Sequence, residues 1–209
     1  MLLLDGPLTF REYMTNEDVP LAAIFKEVLS FLAAREDAVL FGAQAVNAYC
    51  DPPRMTGDVD VLSTQAAALA DTLRTRLAAR FHIATRVREV VPQLGFRVYQ
   101  VRKPKNRHLV DVRQTDSLPP SRRIEGVQVA APVDLLAMKV VSIDARRGQE
   151  KELSDRLDAV RLLRTFPELK VENGEVSQRL QALGAENVLP IWRELVQQQF
   201  DPGDDDDGY

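Results

Sequence analysis

Asp58 and Asp60 stand one residue apart at the opening of the apolar run Val59–Ser63. On an extended strand, residues i and i+2 face the same side. Two carboxylates held that close repel each other unless something cationic sits between them. A hard divalent ion with oxygen ligands, usually Mg²⁺, is the common solution. Asp is disfavoured inside strands, and a buried carboxylate needs a partner. The plainer alternative is an acid that opens a turn followed by an acid on an edge strand. A third carboxylate is expected from a neighbouring strand. Asp111, alone in the apolar run Leu109-Val110-Asp111-Val112, suits that place, and Asp116, in a loop-like stretch, is the fallback.

The segment before this pair adds to it. A short apolar strand, 38–41, stops at Gly42 and is followed by the small-residue stretch that starts at Ala43. A glycine turn facing a carboxylate pair offers backbone N–H groups to a phosphate. Arg54 and Thr56 lie just ahead of the acids. The planar fork of Arg54 suits a phosphate, although an ion pair with Asp51 or Asp58 would also account for it. Thr56 shapes the loop. Further on, Lys139 falls inside an apolar helical stripe, four residues after Leu135 and four before Ile143. A lysine on a buried stripe needs a reason. An anionic ligand beneath it is one, and snorkelling to the surface is another.

Taken in order, Gly42-Ala43 followed by Arg54-x-Thr56-x-Asp58-x-Asp60 resembles the signature of the polymerase-β-like nucleotidyltransferases. The spacing and the R-x-T-x-D-x-D form are similar to the AbiEii/AbiGii toxin-type branch, some members of which add nucleotides to tRNA. The resemblance runs from about Val39 to Leu163. It implies a nucleoside triphosphate substrate, Mg²⁺ or Mn²⁺ held by Asp58, Asp60 and Asp111, and a role for Asp111 in activating the attacking hydroxyl. It also implies triphosphate contacts from Gly42, Ala43, Arg54, Thr56 and Lys139. The stretch from Arg146 through Asp155 and Asp158 resembles a basic-acidic element that follows the lysine; these two acids would orient Lys139 or substrate, or else are plain surface acids paired with Arg161 and Arg156. A toxin role with a cognate antitoxin belongs to the same implication. The chain departs from the pattern at Ala43, where Gly or Ser is usual and a serine hydroxyl would meet the triphosphate. A non-catalytic nucleotide- or partner-binding protein on the same fold is therefore the alternative.

Composition sets the frame. In 209 residues with 45% hydrophobic content there is enough apolar material for a core without staples. The single cysteine, Cys50, excludes a disulfide framework and points to a reducing, cytoplasmic setting. The start, MLLLDGPLTF, lacks the basic region of a secretory signal, and no apolar run approaches the ~20 residues that span a bilayer. The net charge of −4 hides an asymmetry: residues 74–123 hold 13 Lys/Arg against three acids. That basic middle suggests a phosphate-rich partner, RNA or tRNA, unless its arginines are scattered over different faces. Two histidines, His82 and His108, show no metal spacing and read as structural. Neither a P-loop, a dinucleotide fingerprint nor a nucleophile elbow is present.

The elements that must position these groups follow from periodicity. Helices are expected over 17–35 (capped by Asn16 or Asp18), 43–50 and 65–80, with strands at 38–41, 58–63, 81–90, 95–102 and 107–113. A polar loop is expected from Gln114 to Arg123, then a strand at 127–130. Helices follow over 132–147, 150–164, 175–183 and 188–199. Strands first and helices last give an α+β fold: a mixed sheet flanked by helices, residues 1–131, and a C-terminal helical lobe, 132–200, packed on it. The acidic tail, 201–209, is expected to be disordered.

Overall fold

A computed structural model describes residues 19–199. The expected caps at Asn16 and Asp18 and the acidic tail lie outside the described residues. The chain divides into two compact units at Ala131/Pro132.

The first unit opens with helix α1 (Leu21–Leu32), whose Ile24, Phe25, Val28 and Leu32 are buried. Next come β1 (Ala38–Phe41), the short helix α2 (Gly42–Asn47), β2 (Val59–Ser63) and α3 (Ala66–Phe81). The strands β3 (Thr85–Val91), β4 (Gly95–Gln100), β5 (Arg107–Gln114), β6 (Ser121–Ile124) and β7 (Val127–Ala130) complete it. All seven strands form one mixed sheet in the order β3-β4-β5-β2-β1-β7-β6. β2 pairs parallel with β5 and β1 parallel with β7, while the other neighbours are antiparallel. The architecture is the α+β one expected.

The two faces of the sheet differ in chemistry. Val59, Val61, Val98, Val110 and Val112 are fully buried. α3 covers this apolar face through Leu69, Leu73 and Leu77, and the Thr85 hydroxyl donates to the Arg74 carbonyl at 2.9 Å. The alternate residues, among them Asp60, Arg97 and Asp111, face the other way.

Three expectations shift. The strand foreseen at 81–90 starts only at Thr85. Phe81 ends α3, and His82 takes a left-handed φ of 54° that closes the helix. The loop foreseen at 114–123 contains the start of β6. That edge strand is almost wholly exposed and carries no apolar alternation, so periodicity misses it. It exists through its hairpin to β7, whose turn residues Glu125 and Gly126 both have positive φ. The helix foreseen to reach Cys50 stops at Asn47, ahead of Asp51-Pro52-Pro53.

The second unit contains α4 (Pro132–Ala145), α5 (Glu150–Thr165), α6 (Glu175–Ala182) and α7 (Leu189–Gln197). Leu135, Leu136, Leu162, Leu180 and Trp192 form its core, and the Trp192 indole donates to the Glu172 carbonyl at 3.2 Å.

Candidate active site

Strand register assembles the centre of the site. Asp60 on β2 lies directly across from Asp111 on β5, and in a parallel pair such partners project to the same face. The two strands run side by side, about 4.8 Å apart. Phe41 of β1 is the partner of Asp60 on its other side. The next residue, Gly42, turns the chain into α2 with a φ of +70°. A Cβ placed at Gly42 would collide with the Asp60 carboxylate, lying 2.7 Å from its Cγ. Glycine is required here twice over, for the backbone angle and for the close approach.

Asp111 is buried, with 5% of its surface exposed. Its charge is answered loosely: Arg97 Nε lies 3.4 Å and Arg113 Nη2 3.9 Å from Oδ2. Burial works against the charge of Arg97. Hydrogen bonding with Tyr99 and the Asp111 carboxylate outweighs it and holds the Arg97 pKa above its ordinary value. Arg113 also stacks over the Phe41 ring, 5.0 Å from its centroid.

Asp58 precedes β2 rather than lying in it. Its Oδ2 is 3.0 Å from His108 Nδ1. A bulge in β5 makes this contact. Val98 pairs with Val110 but Tyr99 pairs with His108, so Leu109 is extra. The extra residue brings His108 round to the face of Asp111, where it also meets the Tyr99 ring at 5.3 Å between centroids. From sequence His108 reads as structural for lack of metal spacing to His82; its place beside Asp58 depends on the bulge, since His108 and Asp111 otherwise have opposite parity.

The loop ahead of Asp58 is pinned to α2. Gln44 Nε2 donates to Thr56 Oγ1 at 2.6 Å, and the Asn47 side chain brackets the Arg54 backbone through bonds of 2.7 and 3.0 Å. The Arg54 guanidinium donates to the Met55 carbonyl at 3.0 Å. Thr56 thus shapes the loop, and Ala43 sits half-buried in the first turn of α2.

Lys139, Asp155 and Asp158 come together in the second unit. Lys139 Nζ is 2.9 Å from Asp155 Oδ1 and 2.7 Å from Asp158 Oδ2, and Arg146 Nη1 is 2.6 Å from Asp155 Oδ2. The lysine does not snorkel, since only 9% of its side chain is exposed. A second buried pair, Asp134 with Arg179 at 2.7 Å, ties α4 to α6.

Oxygen donors from Asp60 and Asp111 suit a hard divalent ion chemically. Among the described residues, no group of three or more His, Cys, Asp or Glu is arranged as a metal cage. Mg²⁺ usually needs only one or two carboxylates, with water and substrate phosphate supplying the rest. The carboxylate pair therefore fits. A cavity of about 680 Å³ lies on the apolar side of β1 and β7, lined by Phe25, Leu29, Leu40, Gln44, Asn47 and Val129, away from the carboxylates.

Known structures share this arrangement of elements. The chain superposes on the Megavirus polyadenylate synthase with a TM-score of 0.56 at 12% identity, over 73% of this chain and 33% of that one. The fold is that of the nucleotidyltransferases. JHP933 from Helicobacter pylori superposes with a TM-score of 0.51 at 11% identity, over 91% of this chain and 93% of that one. The chain thus spans nearly all of JHP933 but about a third of the polyadenylate synthase. No family model and no curated protein matches the sequence. On the nucleotidyltransferase fold, the acidic pair occupies adjacent central strands, β2 and β5.

Proposed function

We propose that this chain is a metal-dependent nucleotidyltransferase that moves an NMP from an NTP to an acceptor hydroxyl. The observation that carries the reading is the Asp60–Asp111 pair on parallel strands, with Gly42 packed against the Asp60 carboxylate. Asp60, Asp111 and Asp58 hold Mg²⁺ or Mn²⁺, which when bound stabilises charge on the attacking and leaving oxygens. Backbone N–H groups at Gly42 and Ala43 receive triphosphate oxygens, with Arg54 beside them and Thr56 fixing the loop. In the second unit, Lys139 is held by Asp155 and Asp158 and offers its remaining N–H to a phosphate. Asp111 accepts the proton of the acceptor hydroxyl. That oxygen forms a bond to the α-phosphorus as the bond to pyrophosphate breaks. The acceptor we favour is an RNA or tRNA 3′ end, supported by the basic 74–123 segment. A toxin-type enzyme of the AbiEii/AbiGii kind, acting in the cytoplasm beside an antitoxin, is the biological setting we favour. No described helix is long and apolar enough to cross a membrane.

The test is incubation with each labelled NTP, Mg²⁺ or Mn²⁺ and total RNA. Labelled RNA is expected from the parent protein and none from Asp60→Asn or Asp111→Asn. Transfer that survives both substitutions refutes the assignment. Ala43 favours a second reading, a nucleotide-binding module without turnover. Ala43→Ser then separates the two. In an enzyme, the added hydroxyl tightens NTP use about two- to tenfold, on the order of one extra hydrogen bond. In a module, label never appears in any acceptor.

A further inference from the structure

The basic segment 74–123 does not form one patch, and the way it divides is informative. Its helical arginines lie on α3, which covers the apolar face of the sheet, and they are answered by acids. Arg74 pairs with Asp71 at 2.8 Å, while Arg76 and Arg80 share Glu27. Arg123 on β6 pairs with Glu36 at 2.6 Å. On the carboxylate face the pattern changes. One row crosses the sheet as Arg88 on β3, Arg97 on β4, Asp111 on β5 and Asp60 on β2, each the register partner of the next. Beside it runs a second row: Arg86, Tyr99 and His108, with His108 against Asp58. Arg86 and Arg88 are exposed, and neither has a carboxylate partner among the described residues. The Arg86 guanidinium lies 6.0 Å from the Tyr99 ring centroid. The nearest acid in sequence, Glu89, points to the other face, where it accepts from the Gln93 N–H.

The positive charge of Arg86 and Arg88, without a carboxylate partner among the described residues, therefore lies along the β3–β4 side of the candidate carboxylate pair, beside a half-buried aromatic ring. Arginines track a phosphate backbone, and an aromatic ring offers a base a stacking surface. From this juxtaposition we infer that Arg86, Arg88 and Arg97, with Tyr99, form the platform for a single-stranded RNA acceptor. The strand enters over β3 and delivers its terminal hydroxyl toward Asp111. The inference rests on the transferase reading and narrows its acceptor site to one face of two strands.

The experiment uses the full chain and a short fluorescent single-stranded RNA, without nucleotide or metal, and follows anisotropy across a salt series. Each phosphate contact on a single strand contributes about 0.7 to the slope of log affinity against log salt. Arg86→Ala with Arg88→Ala is expected to weaken binding and lower the slope by about 1.4. Tyr99→Ala is expected to weaken binding about five- to a hundredfold with the slope unchanged, as loss of one stacked base would. Arg74→Ala with Arg80→Ala, on the far face, leaves both unchanged. A single-stranded DNA of the same sequence keeps the slope, because the row meets phosphates. The platform is overturned if the parent chain does not bind, if the β3 double variant keeps the parent slope, or if the α3 variant loses as much. The two readings fail separately. An inactive protein that binds RNA through this row removes the transferase and keeps the platform. An active enzyme whose KM for RNA ignores Arg86 and Arg88 removes only the platform.

Discussion

Gly42→Ala tests the link between backbone geometry and the site. At a φ of +70°, an L-residue with a side chain costs about 1–2 kcal/mol. The added methyl would also lie 2.7 Å from Asp60 Cγ and 2.9 Å from Asp60 Cβ, so Asp60 must move. Forcing a group into a filled space costs about 1–3 kcal/mol. The sum is about 2–5 kcal/mol, or a melting temperature lower by about 4–20 °C for a chain of this size. Two companions separate the contributions. Gly148 has a φ of +76° with nothing within 4 Å of its added Cβ, so Gly148→Ala reports backbone strain alone. Asp60→Ala removes the two nearest colliding atoms and leaves only the Cβ contact at 2.9 Å, so Gly42→Ala made in that background should cost the strain and a small remainder of the collision. Thermal unfolding followed by circular dichroism measures the parent and all four variants. The displaced carboxylate should also abolish any stabilisation by Mg²⁺ with NTP. The reasoning fails if Gly42→Ala melts with the parent, or if its cost is the same with and without Asp60.

Two more outcomes follow from the ion pairs. Lys139→Met removes the buried cation shared by Asp155 and Asp158, whose side chains are 3% and 0% exposed, and breaking a buried pair in this way costs about 3–5 kcal/mol, toward the low end where Arg146 still meets Asp155. Urea unfolding should show that loss, and Asp158→Asn in the same chain should restore part of it; a Lys139→Met protein as stable as its parent removes the structural role assigned to the cluster. Glu152 is held below its ordinary carboxylate value by the Gly148 N–H and then by Arg156. A depressed carboxylate stabilises the fold above its unfolded value near 4.5 and loses that contribution as the pH falls through the folded one. Glu152→Gln should therefore be less stable than the parent at neutral pH, with the gap closing in acid; a gap that widens in acid contradicts the sign.

The sequence made the acidic pair legible because side-chain parity on a strand is local. Asp60 and the lone Asp111 could be placed on strands from their own neighbours, while Asp58, expected at the start of the same strand, falls just before it. Which strands adjoin was not local, yet β2 beside β5 is what puts Asp60 against Asp111. Parity misleads where a bulge intervenes. Leu109 shifts His108 onto the face of Asp111, and nothing in His108-Leu109-Val110 marks it. β6 was missed for the opposite reason: its stability comes from the Glu125-Gly126 turn and its partner strand, so its own composition carries no strand signal. The charge of segment 74–123 was countable, but its division between faces depends on which residues become helix and which become sheet.

That division changes where phosphate attraction must come from. Lys139 and Arg146 meet Asp155 and Asp158, so two cations face two carboxylates and the cluster exerts little net pull at a distance. Near Asp60 and Asp111 the local field is set by two acids and by Arg97 and Arg113, which meet Asp111 through a long hydrogen bond of 3.4 Å and an ion pair of 3.9 Å. Such loosely held arginines can leave Asp111 for a phosphate without stranding a tight ion pair, and a divalent ion between the acids would compensate the carboxylate they leave. Exposed Arg86 and Arg88 carry no such obligation. A polyanionic acceptor would therefore be drawn first to β3 and β4, with the carboxylates engaged only once metal and nucleotide are in place.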